Sequence, residues 1–288
     1  MFSLGEPALG ALLAAGGIPS TRVVLLGLLA AAAGYSCIYA LNDLLDLKSD
    51  REEIRLASAQ PMSWDPEVKH IDITSLRHPV AAGALPLWAA VSWVVALGII
   101  GLVAAYLLRP LCAYLFVVCA LLQVLYCSLR KKTWLKIIPA GVMVGVGGLA
   151  GWFAVGEADR GAAAFFLLLV LWEIAGRNLS NDLADVSHDR VVGIATLAAT
   201  HGTRVTGRVI LIGAAVMPAL SLLQDAGWVA RVLIAAVAIV TMTWPAVYLE
   251  RDPRESPAQR YFNRASLFPT GAALALILLA VANLVRNA

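Results

Sequence analysis

Long apolar blocks organise this chain, and its polar residues gather where those blocks end. Blocks of a length that can cross a bilayer occur at about nine places. They cover residues 4–17, 20–43, 84–107, 110–129, 134–155, 161–184, 204–224, 227–249 and 264–286. The first is short and reads as a partial or tilted span. The pattern predicts an all-α, polytopic membrane protein, with residues 1–288 forming a single domain.

Composition agrees with that reading. The chain is 60% hydrophobic and only 14% charged, whereas soluble domains carry about 25% charged residues. The opening block does not read as a cleavable signal peptide, because it lacks a basic start and is interrupted by Glu6 and Pro7. Cys37, Cys112, Cys119 and Cys127 lie in apolar runs without metal-ligand spacing, so they are expected to be buried, reduced thiols.

The charges are not evenly shared between the two sides. Numbering the blocks in order, the connections after the second, fourth, sixth and eighth share one side of the membrane. Of the 22 Lys and Arg residues, only Arg22, Arg109, Arg160, Arg231 and Arg286 fall on the other side. The positive-inside rule makes the rich side cytoplasmic. Acidic residues contribute little to topology, yet most of them share that side. A mouth carrying both signs suits a metal and phosphate site better than a simple retention signal.

The acidic residues there fall into a repeated pattern, Asn-Asp-Leu-x-Asp-x-x-x-Asp. It reads NDLLDLKSD at Asn42–Asp50 and NDLADVSHD at Asn181–Asp189. On a helix, Asp43, Asp46 and Asp50 sit at i, i+3 and i+7 on one face, and Asp182, Asp185 and Asp189 repeat that spacing. One copy could be a solvated helix end. Two copies with the same spacing, both closing an apolar block on the same side, point instead to function, since ionisable groups at membrane depth are costly. Two such faces repel unless a cation lies between them. Magnesium suits these residues, because it takes a few carboxylates together with phosphate oxygens and water. Asn42 and Asn181 would add neutral oxygens.

Basic residues that could complete a diphosphate site stand nearby. They are Arg77 in RHPVAAGALP, Arg130, Lys131 and Lys132 after Tyr126 in LYCSLRKK, and Arg177, five residues before Asp182. Singly, each could equally meet lipid headgroups. The second motif runs directly into GIATL at Gly193–Leu197. Trp152, Phe153, Phe165, Phe166 and Trp172 lie on spans that could face a cavity, although packing against lipid or core is the ordinary role of such aromatics.

These elements together resemble the UbiA superfamily of intramembrane prenyltransferases over nearly the whole chain. YALNDLLDLKSD looks like the family's first Asp-rich motif, and RNLSNDLADVSHDRVVGIATL like its second with the trailing Gly-x-x-Thr. RHPVAAG is similar to the Arg-Pro-x-x-x-Gly turn, YCSLRKK to the Tyr-Ser-x-x-Leu-Lys element, and YFNRASLFP to the entry of the last helix. The resemblance implies nine transmembrane helices around a central cavity open sideways to lipid. It also implies Mg2+, as two ions on the Asp motifs, and an isoprenoid diphosphate donor with a hydrophobic, aromatic or lipid-like acceptor. Carried over residue by residue, the metal site is Asn42, Asp43, Asp46, Asp50, Asp182, Asp185 and Asp189, with Asp46, Asp50, Asp185 and Asp189 central to the chemistry. Tyr126, Arg77, Arg130, Lys131, Lys132 and Arg177 would bind the substrate.

The chain departs from the family pattern in two places. Arg77 is followed by His78-Pro79 rather than by Pro directly, and residues 51–76 form a longer, charged connection broken by Pro61 and Pro66. That connection, including Trp64, is expected to cap the cytoplasmic mouth. Besides prenyl transfer, the sequence admits a terpene cyclase on the same fold. It also admits a cation carrier, although both acidic clusters lie at one side rather than at the midplane where transporter sites form. Partners beyond the donor and acceptor are expected to be membrane lipid only, with neither nucleic acid nor an obligate protein partner.

Overall fold

The computed structural model describes residues 4–59 and 78–287. Within them the chain is helical, connected by short turns. In order, α1 spans Gly5–Ala15, α2 Thr21–Ala59, α3 Leu87–Leu108 and α4 Pro110–Leu129. Next come α5 at Trp134–Phe153 and α6 at Arg160–Ala184. Two short helices follow, α7 at Val186–Val192 and α8 at Leu197–His201. The chain then continues as α9 at Thr203–Leu222, α10 at Trp228–Arg251, α11 at Glu255–Ala265 and α12 at Phe268–Asn287.

Eight stretches among the described residues are long and apolar enough to cross a membrane, with α11 and α12 counted as one. The expected first span differs. Helix α1 has 11 residues, about 16 Å at 1.5 Å per residue, which is half a bilayer. It is buried inside the protein, with Leu9 fully enclosed and Leu12 and Leu13 nearly so, packed against α5, α6 and α12. The alternation of the eight long helices, on which the two-sided charge argument rests, is unaffected. The chain is therefore an integral membrane protein, close to the nine-helix expectation.

Helix α2 shows the opposite length mismatch. Its 39 residues reach about 58 Å, beyond a hydrocarbon core of about 30 Å. Its apolar part lies in the membrane, and the segment carrying the first acidic motif stands at and beyond the interface.

Burial is centred on α5 and α6. Of the apolar stretch of each, 56% is buried, against 17% for α2 and for α3, whose exposed Val, Ile and Trp side chains suit lipid contact. The close approach of α5 to α6 depends on glycine. A Cβ at Gly145 would stand 2.8 Å from Phe166 and from Val170, and one at Gly141 2.8 Å from Ile174. Small residues at helix interfaces let backbones approach in membranes, where lipid gives no hydrophobic drive for association.

Around this pair, Trp152 stacks on Phe165 at a centroid separation of 5.9 Å, and Trp172 donates its indole N–H to the Ala265 carbonyl at 2.8 Å. Trp152, Phe153, Phe165 and Trp172 are all buried, so these four expected cavity aromatics serve chiefly as core. Cys37, Cys112 and Cys119 are buried free thiols, and Cys127 is half-buried.

Replacing Gly145 by Leu should force α5 from α6 and cost about 1–3 kcal/mol by overpacking. Thermal unfolding of the purified protein in detergent measures it; an unchanged midpoint would contradict this packing.

Candidate functional site

Both acidic motifs reach the same end of the bundle, and the turn between α4 and α5 stands between them. On the first side, α2 continues unbroken through Asp43, Asp46 and Asp50. Asp46 and Asp50 are buried, while Asp43 is partly open. Arg130, just past the end of α4, donates through one guanidinium nitrogen to Asp46 Oδ2 at 3.1 Å and Asp50 Oδ1 at 3.3 Å. His78 Nδ1 lies 3.1 Å from Asp50 Oδ2 and 3.5 Å from Asp43 Oδ1, an ion pair without an aligned hydrogen bond. Asp43 and then Asp50 hold the imidazole's pKa up to about 9 against the opposing effect of burial.

The second motif is built differently from the expected continuous helix. Helix α6 ends at Ala184, Asp185 leaves helical geometry at φ −106°, ψ 13°, and α7 restarts at Val186. Gly193 then takes a left-handed conformation at φ 73° to end α7, a geometry that favours glycine. Thr196 caps α8 by accepting from Ala199 N. The Ala195 N–H donates to the Arg130 carbonyl at 3.1 Å, which ties the loop after the second motif to the turn that grips the first. This gives the GIATL segment a structural role that its sequence alone did not disclose.

Asp182 and Asp189 are buried. Lys136, in the opening turn of α5 and itself only 4% exposed, donates to Asp182 Oδ1 at 3.0 Å. Its ammonium also sits 5.5 Å from the Tyr126 ring centroid, within cation–π range. Asn181 donates to Asp185 Oδ2 at 3.2 Å. The Asp189 carboxyl is pushed up to about 8, first by burial and then by the charge of Asp182, against the pull of Lys136.

The remaining expected residues are spread out. Asn42 Oδ1 already accepts from Gln123 Nε2 at 2.6 Å and from Cys127 Sγ at 3.4 Å. Lys131 and Lys132 are exposed. Arg177 lies deeper, 3.5 Å from Glu173 Oε2 and stacked over the Trp172 and Phe262 rings. Arg77 and most of the 51–76 connection, with the expected cap and Trp64, lie outside the described residues.

His78, Lys136 and Gln123 belong to the cluster although none was singled out from sequence. Lys136 carried a readable signal, a lone ammonium at the start of an otherwise apolar span.

This arrangement fits divalent cations and a polyanion. Asp43, Asp50 and His78 bring ligand atoms within 4.8 Å of one another. One buried oxygen in each motif, Asp50 Oδ2 and Asp182 Oδ2, makes no hydrogen bond among the described residues. Carboxylate oxygens left this way are what an oxygen-preferring cation requires.

The model of the UbiA prenyltransferase family matches residues 7–267. An apo UbiA homolog from Aeropyrum pernix K1 shares the fold with a TM-score of 0.73 at 20% identity, covering 96% of each chain. A UbiA homolog from Archaeoglobus fulgidus bound to DMAPP and Mg2+ gives 0.66 at 18% identity, over 95% of this chain and 94% of that one. A decaprenyl-phosphate phosphoribosyltransferase from Mycobacterium tuberculosis is 32% identical over 92 residues. That match spans 32% of this chain and only 24% of the relative's length.

Lys136→Met should leave the Asp182 charge buried and unpaired, at a cost of about 3–5 kcal/mol. Chemical unfolding in detergent should show that loss, and Lys136→Met combined with Asp182→Asn should recover most of it. A double variant no more stable than the single would contradict the pairing.

Proposed function

Since the chain belongs to the UbiA prenyltransferase family, we propose that it transfers a prenyl group from an isoprenoid diphosphate to a hydrophobic acceptor within the membrane. The observation that carries this reading is the pair of acidic clusters converging on the 130–136 turn. Each cluster has its own cation and a buried carboxylate oxygen left without a hydrogen bond. The fold's likeness to a homolog bound to DMAPP and Mg2+ supports the same chemistry. The bias of Lys and Arg supports a cytoplasmic location for this end.

Asp43, Asp46 and Asp50 would hold magnesium on one side of the donor, and Asp182, Asp185 and Asp189 on the other. Bound magnesium supplies positive charge to a diphosphate as negative charge builds on it. Arg130 and Lys136 offer N–H donors to the same phosphate oxygens, and Tyr126 packs under the Lys136 ammonium. Ionisation breaks the bond between the allylic carbon and the diphosphate oxygen, and the electron pair stays on the oxygen. The apolar walls keep water away from the allylic carbon, so that the acceptor captures it first. Asn42, with its oxygen facing Gln123, would brace α2 from the side, while Lys131 and Lys132 would meet phosphate or lipid headgroups at the rim.

Asp46→Ala and Asp185→Ala should each lower diphosphate release from geranyl, farnesyl or geranylgeranyl diphosphate by at least about 100-fold while leaving the protein folded. Chelation of divalent ions should do the same to the native protein. Full activity in either variant, or activity without divalent ions, would overturn the assignment. Incubation with donor alone separates the cyclase, which would yield a cyclised product. Release of diphosphate only from a phosphoribosyl diphosphate would make the chain a phosphoribosyl transferase instead.

A further inference from the structure

Beneath the acidic clusters lies a second polar layer that the donor chemistry leaves without a task. Glu6 of α1 is 1% exposed, and its Oε2 accepts from the Tyr35 hydroxyl at 3.3 Å. Across from it, Glu173 of α6 is 8% exposed. Its Oε1 accepts from Asn178 at 2.7 Å, while its Oε2 stands 3.5 Å from an Arg177 nitrogen and makes no hydrogen bond among the described residues. Arg177 also interacts electrostatically with Tyr39 of α2. The Arg177–Tyr39 contact spans the space between α2 and α6, where Tyr39 is 45% exposed.

The layer's place along the helices is telling. Tyr35 and Tyr39 precede Asn42, Asp43 and Asp46 at helical spacing, so they continue the wall that carries the first motif. Arg177 is five residues, about 7.5 Å of helical rise, below Asp182. Ionisable groups at this depth are costly and mark function. Two carboxylates face one guanidinium here, so an anionic ligand would be repelled. A neutral group that donates a hydrogen bond would be welcomed by Glu173 Oε2.

We propose that this layer holds the acceptor, that the group it takes is a neutral hydroxyl, and that Glu173 Oε2 receives the hydroxyl proton. The inference rests on the prenyl-transfer reading and deepens it. As the acceptor oxygen bonds to the prenyl carbon, the bond from that carbon to the diphosphate breaks. The electron pair leaves with the diphosphate, and the proton passes to Glu173. Arg177, held over Trp172 and Phe262, positions the Glu173 carboxylate. The Glu6–Tyr35 pair closes the layer on the α1 side.

The test uses the full chain in lipid nanodiscs with Mg2+ and geranylgeranyl diphosphate. The acceptor probes are 1-O-hexadecylglycerol, 4-dodecylphenol, their O-methyl ethers and hexadecanoic acid. The native protein should alkylate one or both hydroxyl probes and neither ether, and should bind the acid more weakly than the alcohols. Glu173→Gln keeps an oxygen for Asn178 but cannot take the proton. It should lower transfer at least about 100-fold, with donor affinity shifting less than about twofold. Tyr39→Phe, a milder change at an open position, should raise the acceptor KM several-fold with the donor KM unchanged. Transfer by Glu173→Gln at a near-native rate, or donor affinity falling in step with transfer, would overturn the proposal.

If the native protein consumes no isoprenoid diphosphate, the prenyl-transfer reading fails, and binding of the probes alone decides the site. Hydroxyl probes bound at least tenfold more weakly by Glu173→Gln than by the native protein would sustain it. Equal binding, or tighter binding of hexadecanoic acid, would sink it.

Discussion

Carboxylates buried from water, as Asp46, Asp50 and Asp182 are, must be given counter-charge within the site itself. In this chain Arg130 and Lys136 do so, one for each motif, from the two sides of a single tight turn. The spacing between the motifs therefore follows from the width of that turn. Arg130 binds with its side chain to α2 and with its carbonyl to the loop after α7, so both acidic walls are referenced to one residue. Removing the carboxylates would leave the cations equally stranded, and the cluster stands or falls as a unit.

The scaffold keeps that unit in place by making its centre stiff and its periphery accommodating. Helices α5 and α6 are the most enclosed and meet through glycines that bring their backbones close. Lys136 opens one of them and Asp182 closes the other, so the buried ion pair inherits the precision of a close helix contact. Helices α2 and α3 face lipid along most of their length. The first motif thus rides on a more peripheral helix than the second, and the grip of Arg130 and His78 on α2 compensates for it.

Much of this was legible in the sequence because it depends on composition and period. The long apolar blocks, the duplicated Asp spacing and the one-sided charge all follow from local rules about lipid and helix geometry. What was not legible depends on tertiary approach. Lys131 and Lys132 are chemically like Lys136, yet only Lys136 turns inward, because the 3-10 turn at Trp134–Lys136 aims it at Asp182. His78 opens a turn closed by its own backbone bonds, and only the packing of that turn beside α2 brings its imidazole to Asp43 and Asp50. The break at Asp185 carries no proline or glycine to announce it. The shortness of α1 was masked by an apolar composition that reads alike for a half-depth plug and a full span.

The π turn at Trp172–Asn178 explains how one helix can serve two depths. On α2 no irregularity is needed. Tyr39 and Asp46 are seven residues apart, and at about 100° per residue they fall within about 20° of each other. On α6, Glu173 and Asp182 are nine residues apart, which on a regular helix would put them about 180° apart, on opposite faces. A π turn takes up one extra residue, reducing the offset to about 80° and bringing the two carboxylates nearer to one face of the helix. Such irregularities cost backbone hydrogen-bond geometry and recur at functional sites. Here the irregularity places Glu173 and Arg177 under the second motif. A regular helix of the same sequence would put the acidic motif and the deeper polar layer on opposite faces.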